Sequence, residues 1–301
     1  MAQPVKWPKI PLESEWVHSM FNQTYKQISG YISRKDINEI LKFSYSNFFT
    51  KFGVFILAMG FVFGLYVVGT GPAQGDWGET GNRVASILIN IVGPLVKISD
   101  GIFFLMLLAW VVIPYYNRGI AAVQGSLIGL VWCLTTFFSL CSLSTIALVI
   151  VQGWISFFIQ LAIVLMYFCV SIYMWIMKIH TKETKIGTLK VTIVTLGVML
   201  LINFVMIIYL VTCKHINFYF SLASALIVFY VLLIAIMFYQ LDRTYKMIYI
   251  QKYNRQFRIA YKIPDKKWWF TAKRAVKHPR GYPPVEEGTK EPTPKEGNKH
   301  G

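Results

Sequence analysis

The residues with the richest intrinsic chemistry in this chain are five histidines, His18, His180, His215, His278 and His300, and four cysteines, Cys133, Cys141, Cys169 and Cys213. A metal cage or a nucleophile–base pair needs such groups close together at fixed spacing. No C-x-x-C, H-E-x-x-H or G-x-S-x-G occurs, and no histidine lies inside an apolar run. The spacing therefore predicts no catalytic centre, no zinc site, no disulfide scaffold and no bound cofactor. Lys97 and Asp100 are the ionisable groups nearest an outer apolar boundary. At i, i+3 on a helix they are expected to pair with each other rather than to move protons.

The remaining polar candidates sit inside apolar segments. Gln152, Ser156 and Gln160 share one helical face, Asn203 lies in the next apolar run, and Gln124, Thr135 and Thr136 lie in the preceding one. Ser86, Asn90, Gly93, Lys97 and Asp100 recur at helical spacing as a polar stripe. Together they could line a pathway for a small solute, because polar side chains in lipid turn toward the bundle interior. The plainer expectation is a set of interhelical hydrogen bonds, each worth about 0.6 kcal/mol. Segments 52–140 and 146–240 show no internal repeat, so the usual pointer to a secondary transporter is missing.

Two small-residue faces stand out: Gly53, Gly60 and Gly64 in one run, and Ala121, Gly125 and Gly129 in another. The G-x-x-x-G spacing lets helix backbones approach closely. Packing within one bundle is expected, with self-association or docking to another membrane protein as the alternative. The glycine-rich stretch 71–82 resembles a phosphate loop in composition only, since G-x-x-x-x-G-K-[ST] is absent.

A basic aromatic segment follows the last apolar run. Tyr245, Tyr249, Tyr253, Phe257 and Tyr261 recur every four residues beside Lys246, Lys252, Arg255, Arg258 and Lys262. Pro264 stops the helix. Lys266, Lys267, Trp268, Trp269 and Phe270 come next, followed by Lys273, Arg274, Lys277 and Arg280. Basic clusters beside a membrane helix bind anionic headgroups, and an aromatic stripe suits a cytosolic protein partner. Interleaved arginine and aromatics can also stack on bases, but no RNA-binding motif is present and nucleic acid is not the expected partner.

These groups must be positioned by membrane-spanning helices. Of 301 residues, 55% are hydrophobic and only 15% charged, and mean hydropathy is +0.50. A soluble domain carries roughly a quarter charged residues. Crossing about 30 Å of hydrocarbon takes about 20 apolar helical residues. The first apolar run opens near Phe52, so no secretory signal peptide is expected. Spans are expected at about 52–70, 99–116, 119–140, 146–177, 191–212 and 218–240.

Residues 119–177 hold no charge and could form two spans or three. Two spans, parting around 139–145, place all Lys and Arg except Arg83, Lys97 and Lys214 on one side, as the positive-inside rule requires. Residues 84–98, interrupted by Gly93-Pro94, are expected to lie on the outer surface as an amphipathic helix, with a re-entrant helix as the alternative.

The expected architecture is an all-α integral membrane bundle of six spans with both termini cytosolic, most readily in a plasma (inner) membrane. Residues 1–50 form an amphipathic cytosolic segment, with Trp16, Val17, Met20, Phe21, Tyr25 and Ile28 on one face and Ile37, Ile40 and Leu41 on another. Residues 51–240 form the bundle, 241–280 the basic arm, and 281–301 a disordered tail. The expected role is a non-enzymatic membrane subunit or scaffold of a secretion, translocation or junction-type assembly. A small-solute transporter or channel is the alternative.

Overall fold

The structure is a computed structural model that describes residues 23–42, 48–70, 78–113, 117–181 and 188–270. Trp16, Val17, Met20 and Phe21, the loop residues 71–77, the basic cluster within 273–280 and the 281–301 tail lie outside the described residues.

Among the described residues the architecture is helical: α1 (Tyr25–Ser29), α2 (Arg34–Leu41), α3 (Phe48–Thr70), α4 (Gly78–Val112), α5 (Arg118–Thr181), α6 (Thr188–Cys213), α7 (Phe218–Ser224), a 3-10 turn (Ala225–Ile227), α8 (Val228–Lys252), α9 (Asn254–Ala260) and α10 (Asp265–Trp268). Six segments are long and apolar enough to cross a membrane: Phe48–Val67, Asn90–Val112, Arg118–Leu140, Ser144–Ile179, Thr188–Cys213 and Ala225–Lys252. Their outward residues agree, since Leu57, Phe63 and Ile155 are 77%, 69% and 80% exposed. Such a continuous apolar exterior is stable only against hydrocarbon. The chain is a multi-pass integral membrane protein.

The break expected at Gly93-Pro94 is absent. Residues 84–98 continue into the following span as one helix, Gly78–Val112, with Pro94 inside it. Proline forfeits one intrahelical bond, and burial of Val92 and Val96 on either side keeps the helix packed through it. Its far end is closed by a neighbour. Lys51 of α3 is buried, and its Nζ donates to the carbonyls of Trp110 at 2.9 Å and Ile113 at 3.4 Å. Carbonyls at a helix C-terminus lack intrahelical partners and carry partial negative charge, which an ammonium satisfies.

Helix α5 carries two of the six spans, and its two halves run in opposite senses along α8. Gly119 lies against Gln251 and Gly129 against Gln240, while Phe137 meets Tyr230 with ring centroids 5.1 Å apart. Further on the order reverses: Phe168 meets Phe238 at 5.7 Å and Trp175 meets Tyr245 at 6.0 Å. The non-helical residue within α5 is Gly153, with φ 82° and ψ 170°, beyond the expected parting at 139–145. Those angles are open to glycine and strained for any residue with a Cβ.

Two cores result. Leu148, Val164, Tyr167, Met199, Tyr230, Val231 and Ile234 pack in the middle of the bundle. Ile28, Ile32, Ile37 and Ile40 pack with Ala122, Ile179, Tyr245, Tyr249, Ile250, Phe257 and Trp268 at the end where α5 both begins and finishes.

Candidate functional site

The second core is a head built from both ends of the described chain. Local sequence starts its two small helices. The Gln27 side chain accepts from the Thr24 N–H at 2.8 Å, and Asp36 accepts from the Ser33 N–H at 2.8 Å while Ser33 accepts back from the Asp36 N–H. These reciprocal caps set the starts of α1 and α2. Helix α8 continues past its apolar stretch, breaks at Tyr253 (φ −109°, ψ 32°) and resumes as α9, which lays the aromatic stripe on α1 and α2.

Tyrosine hydroxyls lock the two ends together. Tyr249 accepts from the Gln23 N–H at 3.3 Å, Tyr253 donates to the Gln23 carbonyl at 2.6 Å, and Tyr261 donates to the Ile32 carbonyl at 3.0 Å. The ring of Tyr25 sits edge-on to Phe257 at 5.0 Å, and that of Tyr31 edge-on to Tyr245 at 6.2 Å. Each contact hides an apolar ring while giving the buried hydroxyl a partner. The α5 end is tied in as well. Arg118 donates to the Leu41 carbonyl at 2.7 Å and lies over the Phe270 ring at 5.3 Å, and Asn117 caps α5 through the Ile120 N–H at 2.8 Å.

An ionic cluster crosses the same junction. Lys246 reaches Asp36 at 3.2 Å and Asp242 at 3.4 Å, Arg243 reaches Glu39 at 2.7 Å, and Lys178 reaches Asp242 at 3.1 Å. The Tyr31 hydroxyl bonds Asp242, and the ammonium groups of Lys178 and Lys246 lie 5.6 and 5.1 Å from its ring centroid. Burial, reinforced by the charge of Asp242, pushes the Tyr31 phenol above its ordinary range. Burial alone would raise the Asp36 carboxyl. The Ser33 hydroxyl, the Ser33 N–H and Lys246 outweigh it and hold that carboxyl below the usual carboxylate range. Burial, helped by Asp36 and opposed by Arg34, raises the Tyr261 phenol.

Asp36, Glu39 and Asp242 are thus engaged inside the head, whereas Lys26, Arg34, Lys35, Lys42, Lys252, Lys262 and Lys267 are solvent-exposed. The outer face of the head is basic.

The arm residues singled out from the sequence divide accordingly. Tyr245, Tyr249, Phe257, Arg258 and Trp268 are buried, and Arg258 stacks over Trp268 at 5.9 Å. Tyr253, Arg255 and Trp269 are half-buried and Lys267 is exposed. The side chain of Lys266 lies outside the described residues. The aromatic stripe is occupied by the chain's own first helices, because burying five rings against α1 and α2 removes more apolar surface from water than leaving them outside.

Three of the candidate pathway residues meet. Gln152 donates to Asn203 at 3.1 Å and to Ser224 at 2.7 Å, and accepts from Ser156 at 2.7 Å and Gln160 at 2.9 Å. Asn203 donates in turn to Gln160 at 2.8 Å and to the Met199 carbonyl at 2.9 Å. Gln160, Asn203 and Ser224 are buried. The network joins α5, α6 and α7 and satisfies its own amides.

Asn90, Lys97 and Asp100 stand apart on α4, and among the described residues no hydrogen bond links them to this network. Lys97 is exposed and makes no ion pair with Asp100, whose two carboxylate oxygens are buried without a partner. The expected i, i+3 pair is therefore not formed: the Lys97 side chain is exposed while the Asp100 carboxylate is buried.

The glycine faces also divide. A Cβ on Gly129 would stand 3.2 Å from the Gln240 amide, so this glycine is a contact with α8, and Gly125 is half-buried. Around Gly53, Gly60 and Gly64 nothing lies within 4 Å of a Cβ.

Sequence reasoning missed Lys51, Tyr31, Lys178 and Asp242. Lys51 and Lys178 flank apolar runs, where a lone basic residue is no signal of a specific partner. Asp242 was the available signal, an acid at the start of a strongly basic segment. Among the described residues no group of three His, Cys, Asp or Glu could hold a metal ion. Set against known proteins, the chain matches no family model, no curated protein and no solved structure.

Proposed function

We propose that the chain is a non-enzymatic polytopic subunit or scaffold of a multiprotein membrane assembly, of secretion, translocation or junction type. It works with both termini in the cytosol of a cell bounded by a plasma (inner) membrane. The observation that carries this reading is the head. Among its described side chains the acids Asp36, Glu39 and Asp242 are spent on internal ion pairs while seven basic side chains face outward, which leaves a surface complementary to an acidic protein face or anionic headgroups. The orientation rests on the positive-inside rule. The open glycine ridge of α3 offers a second contact, to another membrane helix.

Deleting the arm would also expose the head core, so the test reverses surface charge instead. Lys252→Glu, Lys262→Glu and Lys267→Glu are combined, and the protein is extracted in mild detergent at low salt. Wild type is expected to bring other chains at fixed stoichiometry, and the triple variant to lose them while melting normally. Wild type recovered as one or a few copies of this chain alone contradicts the reading.

A second reading, a small-solute transporter or channel, draws on Asp100. A carboxylate inside a membrane span with no partner is costly and marks functional sites. Reconstituted vesicles decide it. Flux abolished by Asp100→Asn favours this reading, and absence of flux in wild type removes it.

A further inference from the structure

A cavity of about 240 Å³ opens beside the head, where the second half of α5, the first turn of α6 and α8 converge. The α5 wall presents Tyr167, Ser171, Trp175 and Lys178 along one face, and Thr188 and Ala235 stand among the groups opposite. Its polar lining is rich in donors. Lys178 spends one N–H on Asp242 at 3.1 Å and its side chain is 38% exposed; an ammonium carries three donors. Ser171 and Thr188 add hydroxyls to the lining. Asp242, the carboxylate in the lining, is already held by Tyr31, Lys178 and Lys246. A lining with spare donors, whose carboxylate is already held by two ammonium groups and a phenol, suits an anion.

The approach to the cavity is apolar. Leu189 and Tyr239 line it and are 69% and 61% exposed on the flanks of two candidate spans. An occupant reaching it from that side must be amphipathic.

We propose that this cavity binds the phosphodiester of a membrane phospholipid, with the Lys178 ammonium as its charged donor and the first acyl methylenes along Leu189, Ala235 and Phe238. The site is separate from the basic outer face of the head and does not depend on the scaffold reading.

The full chain, stripped of lipid in detergent, is titrated with dioctanoyl phosphatidylglycerol and followed by native mass spectrometry. One phospholipid per chain is expected. Lys178→Gln should weaken binding at least tenfold and Lys178→Arg should preserve it. Ala235→Phe should fill the cavity and abolish the adduct without touching a charge. Inorganic phosphate at millimolar concentration should not displace the lipid. Unchanged adducts in both Lys178→Gln and Ala235→Phe, each melting as wild type does, would overturn the proposal. Full displacement by inorganic phosphate would overturn it too, by making the site one for the free ion.

Discussion

The hydroxyl of Tyr253 donates to the carbonyl of Gln23 at 2.6 Å, joining positions 230 residues apart in the chain. With the Tyr249 hydroxyl accepting from the N–H of the same residue, Gln23 is held at both its backbone groups. The C-terminal arm is therefore half of a folded head whose other half is the N-terminal segment.

Removing a piece of this clasp should loosen the head before the bundle. Tyr253→Phe loses one hydrogen bond and should cost about 1 kcal/mol. Trp268→Ala should cost about 3–5 kcal/mol, because Trp268 is fully buried and stands 2.7 Å from where a Cβ on Gly119 would lie. Limited proteolysis in detergent is expected to cut the Trp268→Ala protein near α9 while the spans stay protected. Equal protection in wild type and variant contradicts this.

The spans were legible because hydrocarbon imposes length and hydropathy on each of them. The head was not. Its aromatic period of four was visible in Tyr245, Tyr249, Tyr253 and Phe257, but periodicity marks a buried face without naming what covers it. The cover comes from Ile28, Ile32, Ile37 and Ile40, more than two hundred positions away. The two spans within α5 part between Leu140 and Ser144, inside the 139–145 stretch expected from sequence, while the non-helical backbone falls further on at Gly153, a single glycine in an apolar run that carries no turn signal of its own. Gln152, Gln160 and Asn203 were legible as polar residues in lipid, and Ser224 completes their network from a helix that sequence assigned to the start of a span.

The two glycine ridges should respond differently to bulk. Gly129→Leu pushes into Gln240 and should destabilise the bundle by about 1–3 kcal/mol. Gly60→Leu meets nothing within 4 Å and should leave the melting temperature of the isolated chain unchanged. If Gly60→Leu lowers it as much as Gly129→Leu does, α3 is packed otherwise than described.

The Gln152 network should act as structure. Gln160→Leu and Asn203→Leu should each destabilise the bundle, and because the two amides bond each other at 2.8 Å their double-mutant cycle should give a coupling of about 0.6–1.7 kcal/mol. A coupling of zero contradicts the network.

Acid should weaken the head through Asp36. Its folded carboxyl titrates below its unfolded value of about 3.9, so the unfolded chain takes up the proton first as pH falls. The stabilisation is fully present above about pH 4 and is lost as pH drops through the lower folded value. Asp36→Asn should melt earlier than wild type at pH 6, with the gap closing as pH falls below about 4. A gap that stays constant to the lowest pH contradicts the assignment.

We propose that the two ends of the described chain form one basic head in the cytosol, and sidedness tests this most directly. In a background with Cys133, Cys141, Cys169 and Cys213 all replaced by Ser, single cysteines replace Lys35 and Lys262, both exposed on the head. A membrane-impermeant maleimide is expected to miss both in intact cells and to label both in inverted vesicles. Labelling of either position from outside intact cells would contradict the claim.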